Sequence, residues 1–262
     1  MLAPRIIPCL LVHNKGLVKT VKFKDSKYVG DPINAVKIFN EKESDELMVL
    51  DIDATVLNRE PDYKMIENLA TECRMPLCYG GGIKTVEQAT RIFNLGVEKI
   101  ALSSAAIENP QLVANIAKEV GNQSVVVVID VKKKMFGGYD IYTHNGTKKT
   151  KLDLENFINE LQSLGVGEIV INSIDNDGVM NGYDLSLIEK IKPLINVPMT
   201  VLGGAGSLED IKTLINKFGI IGCSAGSLFV FKGKYRAVLI NYPKNLEKQQ
   251  LIKNNNLEVV NV

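Results

Sequence analysis

Short apolar segments rich in Val, Ile and Leu alternate along this chain with longer segments in which apolar residues recur at helical spacing. An uninterrupted apolar run bounded by turn residues is typical of a strand that is buried on both faces, as in a parallel sheet. Eight such runs separated by helical segments predict one α/β domain, a (β/α)8 barrel. The predicted strands are residues 6–12, 47–51, 77–80, 99–103, 125–131, 168–172, 199–202 and 220–224.

Two stretches of the chain repeat one another 122 residues apart, at 76–87 (PLCYGGGIKTVE) and 198–209 (PMTVLGGAGSLE). Each predicts an apolar strand, a pair of glycines and a helix opened by Ser or Thr. The same offset relates Glu46 to Glu168 and Asp53 to Asp175, so the repeat extends well beyond one loop. We therefore expect a barrel built from two duplicated halves.

The paired glycines of the repeat are candidates for phosphate binding. Gly81 and Gly82 in one copy, and Gly203 and Gly204 in the other, end a strand just before a helix, where backbone N–H groups are free to bind an anion. Two such cradles imply a ligand with two phosphate ends. Further phosphate-binding residues are expected one strand later, at Ser103, Ser104, Ala225, Gly226 and Ser227.

Charged residues stand at the starts of several predicted strands. Side chains alternate along a strand, and on the faces that point inward a ring of opposite charges would close the base of the barrel. One interpretation is a salt-bridge plug that stabilises the base; the other is a charged gate over a narrow passage for a small neutral molecule. The ring consists of Arg5, Glu46, Lys99 and Glu168.

Composition limits the classes of partner. The 262 residues carry a formal net charge of +1, which gives no electrostatic reason to expect nucleic acid or anionic lipid. Neither an apolar stretch of about 18 residues nor a signal peptide is evident, so we expect no membrane association. The four cysteines lack metal or redox spacing, and we expect reduced thiols in a cytoplasmic protein with no metal and no cofactor.

No linker divides the chain, so residues 1–243 are predicted to form the barrel. Residues 244–262 are polar and contain Asn254 to Asn256 in succession. They predict a C-terminal helix end followed by a polar tail, to which we assign no function.

Over about residues 1–240 the chain resembles the cyclase subunit of imidazole glycerol phosphate synthase, a TIM barrel. That resemblance implies a glutaminase partner at the N-terminal face, ammonia that crosses the barrel, and cleavage and cyclisation of a bisphosphorylated substrate at the C-terminal face. It assigns the ammonia gate to the charged ring and so favours the passage over the plug. The matching stretches are MLAPRIIPCL, DELMVLDIDAT, YGGGIKTVEQA, SSAAIENP, VVVVID, YTHNG, GEIVINSIDNDGVMNGYDL and GGAGSLED.

The resemblance also implies catalytic roles for Asp130, Lys19 and Asp177, but one expected residue is missing. At the end of strand 1, where the family has its first catalytic aspartate, this chain has Leu11. Two-carboxylate chemistry needs one group to give a proton and another to take one, and losing either commonly costs a factor of about 10² to 10⁴. Full cyclase activity is therefore not expected.

Other residues could replace the missing carboxylate. Asp51 and Asp53 end strand 2, and the repeat places Asp53 beside the phosphate loops, although carboxylates at strand ends are commonly hydrogen-bond acceptors that order a loop. His13 and His144 could reach the mouth of the barrel, but a lone loop histidine is more often a solvated surface residue. An Asn145–Gly146 turn explains the second histidine's segment without catalysis.

A basic cluster follows strand 1. It is either a solvated loop or a flexible flap over a bis-anionic ligand, because loops at the C-terminal face of barrels carry binding and catalysis. The cluster comprises Lys15, Lys19, Lys22, Lys24 and Lys27, interleaved with Phe23 and Tyr28.

Near the start, IIPCLL, GLVKT, KF and GDPINAVKIFN resemble a divergent branch of the family that is associated with bacterial surface-sugar pathways. In that branch a glutaminase and a barrel serve a sugar amidotransferase that converts an acetamido group to an acetamidino group. Three hypotheses follow from the resemblance. The chain is an ammonia-conducting amidotransferase subunit, or a histidine-pathway cyclase with a substituted acid, or a noncatalytic barrel that binds a phosphorylated ligand and activates its glutaminase.

Overall fold

The computed structural model describes residues 3–253, and within this range it contains fourteen strands. Apolar β-branched runs form the long ones, and turns rich in Gly, Asn and Lys separate the short ones. The strands are β1 (Arg5–His13), β2 (Gly16–Val21), β3 (Lys24–Gly30), β4 (Leu47–Asp51), β5 (Leu77–Gly80), β6 (Lys99–Leu102), β7 (Val125–Lys133), β8 (Tyr139–Thr143), β9 (Lys148–Lys149), β10 (Glu168–Ser173), β11 (Met199–Leu202), β12 (Gly222–Ala225), β13 (Phe231–Lys232) and β14 (Ala237–Val238).

Ten α-helices are found in the same range, and most follow a barrel strand. Asp31 caps the first by accepting a hydrogen bond from one backbone N–H of its first turn, and Asp153 caps the sixth by accepting two. The helices are α1 (Pro32–Glu41), α2 (Tyr63–Glu72), α3 (Val86–Asn94), α4 (Ser104–Glu108), α5 (Gln111–Val120), α6 (Leu154–Ser163), α7 (Leu185–Ile191), α8 (Leu208–Phe218), α9 (Ser227–Val230) and α10 (Asn245–Lys253).

Eight parallel strands close into a ring, which confirms the predicted (β/α)8 barrel. Around the ring the order is β1, β4, β5, β6, β7, β10, β11 and β12, with β12 pairing back onto β1. The strands β1 and β7 therefore stand four places apart in either direction. This places the carboxyl ends of the first strand of each half on opposite sides of the mouth.

Alternation along the strands divides the buried apolar residues into two layers. The larger layer lies between the barrel and its helices, and the smaller fills the barrel interior. Leu11 and Leu50 pack against the interior layer from its upper end. The interior is therefore a packed core above the charged base, as expected for a barrel of eight strands. Its residues are Ile7, Cys9, Met48, Cys78, Ala101, Val126, Val128, Val170 and Leu202.

Two hairpins extend above the barrel, and the first of them, after strand 1, differs from the sequence-based expectation. The segment predicted as a loop or flap after strand 1 forms the antiparallel pair β2–β3, and β2 in turn pairs with the end of β1. A matching extension, β8–β9, continues from the end of β7. Both halves of the barrel thus raise a hairpin above the cleft.

The chain's C-terminal segment is helical as far as the structure describes it. Helix α10 spans Asn245–Lys253, and residues 254–262 of the predicted polar tail lie outside the described range. Among residues 3–253, no helix has both the length and the apolar character needed to cross a membrane.

Candidate active site

One cleft opens at the carboxyl ends of the barrel strands, where (β/α)8 barrels carry their active sites. It brings together every residue that the sequence assigned to catalysis or to phosphate binding. These are Lys19, Gly81, Gly82, Ser103, Ser104, Asp130, Asp177, Gly203, Gly204, Ala225, Gly226 and Ser227.

Two glycine turns on opposite sides of the cleft have equivalent geometry. Gly81 has φ of +122° and Gly203 has φ of +91°, a region that favours glycine. A Cβ on Gly81 would lie 2.4 Å from the carbonyl oxygen of Asp51, and one on Gly203 would lie 2.7 Å from that of Ser173. The two carbonyls are themselves 122 residues apart, so the same close backbone approach is used twice.

Helix starts follow both glycine turns. Thr85 accepts a hydrogen bond from a first-turn N–H of α3, and Ser207 does the same at α8, where Asp210 completes a capping box. Short helices α4 and α9 begin one strand later at Ser104 and Ser227. The cleft thus has two opposed sets of backbone N–H groups, an arrangement suited to a ligand with two anionic ends.

The second half of the barrel supplies a polar wall. Asn172 Nδ2 donates a hydrogen bond of 2.8 Å to Asp130 Oδ1, because Asn172 and Asp130 stand side by side on β10 and β7. Burial raises the pKa of Asp130 to about 7, against the opposing effect of the Asn172 hydrogen bond. A carboxyl group that titrates near neutral pH is suited to proton transfer.

The first half of the barrel supplies an apolar wall at the equivalent place. Leu11 on β1 stands beside Leu50 on β4, in the register that pairs Asp130 with Asn172 in the other half. Both leucines line the cleft. The structure therefore places no carboxylate at the end of β1.

Lys19 is not part of an exposed flap. It lies on β2 and is 5% exposed, and its Nζ donates a hydrogen bond of 2.5 Å to the carbonyl oxygen of Cys9. A Cβ on Gly226 would lie 2.6 Å from this Nζ, so the amino group is beside the second cradle. Burial lowers the pKa of Lys19.

The other lysines of the basic cluster are exposed at the surface, which separates Lys19 from them.

Asp177 holds in place the hairpin that carries Lys19. Asp177 Oδ2 accepts hydrogen bonds from Thr20 Oγ1 at 2.7 Å and from the N–H of Phe23 at 3.1 Å. Burial raises the pKa of Asp177, although these hydrogen bonds oppose the rise. In this arrangement Asp177 positions the hairpin above the cleft.

The candidate replacements for the missing carboxylate occupy different places. Asp51 lines the cleft and accepts hydrogen bonds from the N–H groups of Asp53 and Ala54; burial raises its pKa despite them. Asp53 is outside the cleft lining, where it accepts a 2.6 Å hydrogen bond from His13. Its other oxygen accepts the N–H of Asn14, so Asp53 orders a loop.

The two histidines differ in the same way. His13 is bound to Asp53 and is absent from the cleft lining, whereas His144 lines the cleft beside the first cradle. The N–H of His144 lies 3.4 Å from Ser104 Oγ. Across residues 3–253, no group of three or more His, Cys, Asp or Glu side chains is placed to hold a metal ion.

At the opposite end of the barrel the four predicted ring residues form a closed cycle of ion pairs. Arg5 contacts Glu46 at 2.5 Å and Glu168 at 2.7 Å, and Lys99 contacts each glutamate at 2.9 Å. The glutamate side chains are 4% exposed. Thr200 Oγ1 also donates to Glu168 Oε1 at 2.5 Å.

The ring is strongly stabilised in its charged form. Burial by itself would raise the pKa of Glu168, but the hydrogen bond from Arg5 and the charges of Arg5 and Lys99 outweigh burial and lower it to about 2. Burial and the charge of Arg5 would lower the pKa of Lys99, but the charges of Glu168 and Glu46 outweigh them and raise it. Between this ring and the cleft stand only the small and apolar side chains of the interior layer.

Three cleft residues escaped the sequence-based assignment of roles. Asn172 could have been found, because it follows Val170 on an inward face and ends a strand beside Asp130. Thr20 and Asn145 depend on distant contacts: Thr20 binds Asp177, and Asn145 Nδ2 donates to the carbonyl oxygen of Ile52. No local pattern marks Thr20, and the Asn145–Gly146 turn pattern does not predict the contact with Ile52.

Together, these features define a (β/α)8 barrel with an ion-pair ring at one end and two glycine cradles at the other. The family model described as "Histidine biosynthesis protein" matches residues 5–236. The chain therefore belongs to the histidine biosynthesis protein family.

Relatives divide into two levels of similarity. A protein of Vibrio vulnificus (strain YJ016) named "Putative imidazole glycerol phosphate synthase subunit hisF3" is 61% identical, over 97% of this chain and 98% of the relative. A Leptospira interrogans protein named "Putative imidazole glycerol phosphate synthase subunit HisF" is 59% identical, over 96% and 99%. The "Imidazole glycerol phosphate synthase subunit HisF" of Streptococcus sanguinis (strain SK36) is 40% identical, over 87% and 91%. The chain is a divergent member of this family.

Proposed function

We propose that this chain is the barrel subunit of a cytoplasmic glutamine-dependent amidotransferase. A glutaminase binds at the amino ends of the barrel strands and releases ammonia below the ion-pair ring. The ammonia crosses the barrel interior to the cleft, where a bisphosphorylated ligand is bound. Its destination is a sugar amidotransferase that converts an acetamido group of a surface-polysaccharide sugar to an acetamidino group.

The observation that carries this proposal is the pairing of Leu11 with Leu50 at the rim of the first half. Cyclisation by two carboxylates needs a proton-transferring group opposite Asp130, and leucine cannot supply one. Delivering ammonia needs a passage and a ligand site, and it does not need the second carboxylate. The ring, the bore and both cradles support those two requirements.

The ion-pair ring supports a passage for a neutral molecule. Its four charges are mutually compensated, so an ion entering the bore would lose hydration without gaining an uncompensated partner. Ammonia carries no net charge and is small enough to pass among Ala101, Val126 and Cys78 when ring side chains move aside. Lys99 and Arg5 are the more exposed members, at 20% and 28%, and are the candidates for that movement.

The test combines the purified chain with its proposed glutaminase partner. Glutamine hydrolysis and product formation are measured with and without the bisphosphate substrate of histidine biosynthesis. The proposal expects hydrolysis to rise when the barrel and ligand are present, with little cyclic product. Adding the sugar amidotransferase and its acetamido-sugar substrate should then give amidination that depends on glutamine.

Two results would redirect the assignment. Cyclic product at the rate of an ordinary cyclase would contradict the proposal and return the chain to histidine biosynthesis. Stimulated hydrolysis with no nitrogen transferred to any acceptor would indicate a noncatalytic, ligand-binding activator of the glutaminase.

The position of Asp51 in the cleft supports a second candidate function, that of the histidine-pathway cyclase. It lines the cleft at the end of β4, next to β1, and its pKa is raised by burial. In this candidate Asp51 takes the role of the missing carboxylate. An Asp51→Asn variant should then abolish cyclic product formed with free ammonia, whereas in the first proposal no substantial activity exists to be lost.

A further inference from the structure

Three hairpins at the mouth of the barrel end in basic tips. We define the tips as residues 22–28 of β2–β3, 132–138 of β7–β8 and 232–236 of β13–β14. Together they contain nine of the chain's 31 Lys and Arg residues, but one of its 30 acidic residues, Asp25. The formal net charge of +1 is therefore an average over a strongly basic surface and an acidic remainder.

The loop after β10 holds the three tips together on the C-terminal face. One residue of each tip contacts residues 175–179 of this loop. The contacts join the N–H of Lys22 to the carbonyl oxygen of Asp177 at 2.9 Å, the N–H of Lys133 to Asp175 Oδ2 at 2.9 Å, and Arg236 Nη2 to the carbonyl oxygen of Val179 at 3.5 Å. The tips therefore belong to one surface of the molecule.

Most of the positive charge in the tips is uncompensated. Eight of the nine cations are lysines, and all eight are exposed. Along the part of the chain that the structure describes, only Lys134 of the nine forms an ion pair, with Asp140 at 3.4 Å. Like charges on one face repel one another, and an anionic partner that covers them relieves this repulsion. The surface is thus suited to a polyanionic partner.

The apex of the β7–β8 tip is apolar. Phe136 is 97% exposed and the adjacent Met135 is 90% exposed. The turn that carries them is closed by a hydrogen bond of 2.9 Å from the N–H of Lys134 to the carbonyl oxygen of Gly138. In the third tip, Tyr235 is also 90% exposed. Large apolar side chains that protrude beside lysines are typical of segments that enter a membrane interface.

The composition of the tips favours a lipid surface over a protein or a nucleic acid. Protein interfaces are enriched in arginine and depleted in lysine, whereas lysine outnumbers arginine eight to one in the tips. A nucleic acid would neutralise the lysines but has no hydrocarbon in which Met135 could be buried. An anionic bilayer supplies both phosphates for the lysines and an apolar layer for the apex.

We propose that the three tips dock the protein on an anionic phospholipid bilayer, with the lysines at the lipid phosphates and Phe136 and Met135 below them. Docking turns the mouth of the cleft toward the membrane and leaves the ion-pair ring at the far end of the barrel accessible. The whole-chain net charge gave no reason to expect such binding, because it averages the tips with the acidic remainder. The inference does not depend on the activity of the cleft.

Vesicle sedimentation measures this docking directly. The full chain is mixed at low salt with vesicles of phosphatidylcholine, either alone or with about 30% phosphatidylglycerol. Binding to the anionic vesicles should be at least about 10-fold tighter than binding to phosphatidylcholine alone. It should be lost at about 0.5 M salt, because exposed charges are then screened.

Two double variants test whether the tips carry the binding. Lys132→Gln combined with Lys133→Gln removes two unpaired charges and should weaken binding to anionic vesicles at least about 10-fold. Lys118→Gln combined with Lys217→Gln makes the same change in net charge on the exposed faces of α5 and α8. This matched control should bind as the wild type does.

A fluorescent variant tests the role of the apex. The chain contains no tryptophan, so a single introduced one reports on its own surroundings. The emission maximum of Phe136→Trp should shift to the blue by about 10 nm or more with anionic vesicles, because the ring enters the interface. Leu246→Trp is the control, since residue 246 is 73% exposed on α10 at the other end of the barrel. Its emission should not change.

Each outcome supports or overturns the docking. Equal binding to both kinds of vesicle overturns it, and so does wild-type binding by the Lys132→Gln, Lys133→Gln variant. Sedimentation with anionic vesicles but unchanged emission of Phe136→Trp also overturns it, because the apex then stays in water. Binding to duplex DNA without binding to anionic vesicles would assign the tips to a nucleic acid instead.

Discussion

The two halves of the barrel share their backbone and differ in the side chains at the rim. Gly81 and Gly203 make the same turn against carbonyls 122 residues apart, and each half raises a hairpin from its first strand. At the rim, however, Leu11 and Leu50 in the first half replace the polar pairing of the second half. The backbone geometry of the glycine turns is the same in both halves, whereas the pairing of Asp130 with Asn172 has no polar counterpart in the first half.

The base of the barrel shows the opposite asymmetry. Each half contributes one glutamate, Glu46 or Glu168, at equivalent positions. Both cations come from the first half, as Arg5 and Lys99. The first half therefore carries both cations of the ring, and the second half carries Asp130, the cleft carboxyl whose pKa burial raises to about 7. Neither half holds a complete set of functional groups.

The ring should give the largest effect on stability. Lys99→Ala leaves both glutamates with Arg5 as their one cationic partner, and we expect a loss of about 3 kcal/mol in the free energy of unfolding, measured by urea denaturation. Ammonia transfer should also become uncoupled from glutamine hydrolysis in the complex with the glutaminase. Lys118→Ala, on the exposed face of α5, is the control and should stay within about 0.5 kcal/mol. If stability falls while transfer efficiency is unchanged, the ring is only a plug.

The rim should give a catalytic effect of similar size. With Leu11 in place, cyclic product formed with free ammonia is expected at least about 10²-fold more slowly than in an enzyme with both carboxylates, or about 2.7 kcal/mol in activation free energy. Leu11→Asp should raise the rate measurably, because it gives Asp130 a proton-transfer partner. Leu11→Asn is the control, since it is polar but cannot transfer a proton. A wild-type rate equal to that of an ordinary cyclase would refute this prediction.

The two cradles should bind anions independently of each other. Crystals soaked in phosphate should contain two anions at the C-terminal face, one in each half. Gly81→Ala and Gly203→Ala should each lose the anion of their own half and about 2 kcal/mol of stability, because Ala at positive φ is strained and its Cβ meets a carbonyl oxygen.

Gly219→Ala is the matched control for the cradles. Its φ of +71° gives the strain without the contact, and both anions should remain. Anions bound only at surface lysines in the wild-type crystal would contradict the two-cradle assignment.

The smallest expected effect concerns Asp130 and pH. Its pKa is about 7 in the folded protein and 3.8 ordinarily, so the folded state binds the extra proton between these values and loses stability as pH rises through them. Asp130→Asn removes this loss. We expect the variant to match the wild type near pH 4 and to exceed it by about 1.5 kcal/mol at pH 8, a fraction of the full shift because the carboxyl faces an open cleft.

The difference in stability between Leu11→Asn and the wild type should be the same at both pH values, because neither leucine nor asparagine titrates and both proteins keep Asp130. Thermal unfolding of the three proteins at the two pH values provides the measurement. An Asp130→Asn stability difference that is the same at pH 4 and pH 8 would contradict the raised pKa.

The barrel was predictable because its strands are continuous apolar runs between glycine and proline. Residues 77–80 and 199–202 coincide with β5 and β11. The last strand begins at Gly222 instead of 220, and the β2–β3 hairpin was missed because its strands are short and carry lysines. Local pattern cannot distinguish a solvated basic loop from a strand that is held by a neighbour.

Placement within the site was predictable only in part. The cradle residues follow from the repeat, and they line the cleft. Lys19 was assigned by resemblance, but its burial beside Gly226 depends on the pairing of β2 with β1. Asp53 was expected near the phosphate loops, and its bond to His13 instead ties it to the loop after β1. These contacts join residues far apart in the chain, so spacing alone could not reveal them.

The charges of the ring are divided unevenly between the two halves, and this division affects how separated halves would assemble. A fragment ending near residue 121 carries Arg5, Lys99 and Glu46, while the remainder carries only Glu168. Two copies of the second fragment would bring two buried carboxylates together without a cation, and two copies of the first would bring four cations to two carboxylates. Only the mixed pair balances two against two. The charges therefore favour association of the first fragment with the second over a homodimer of either fragment.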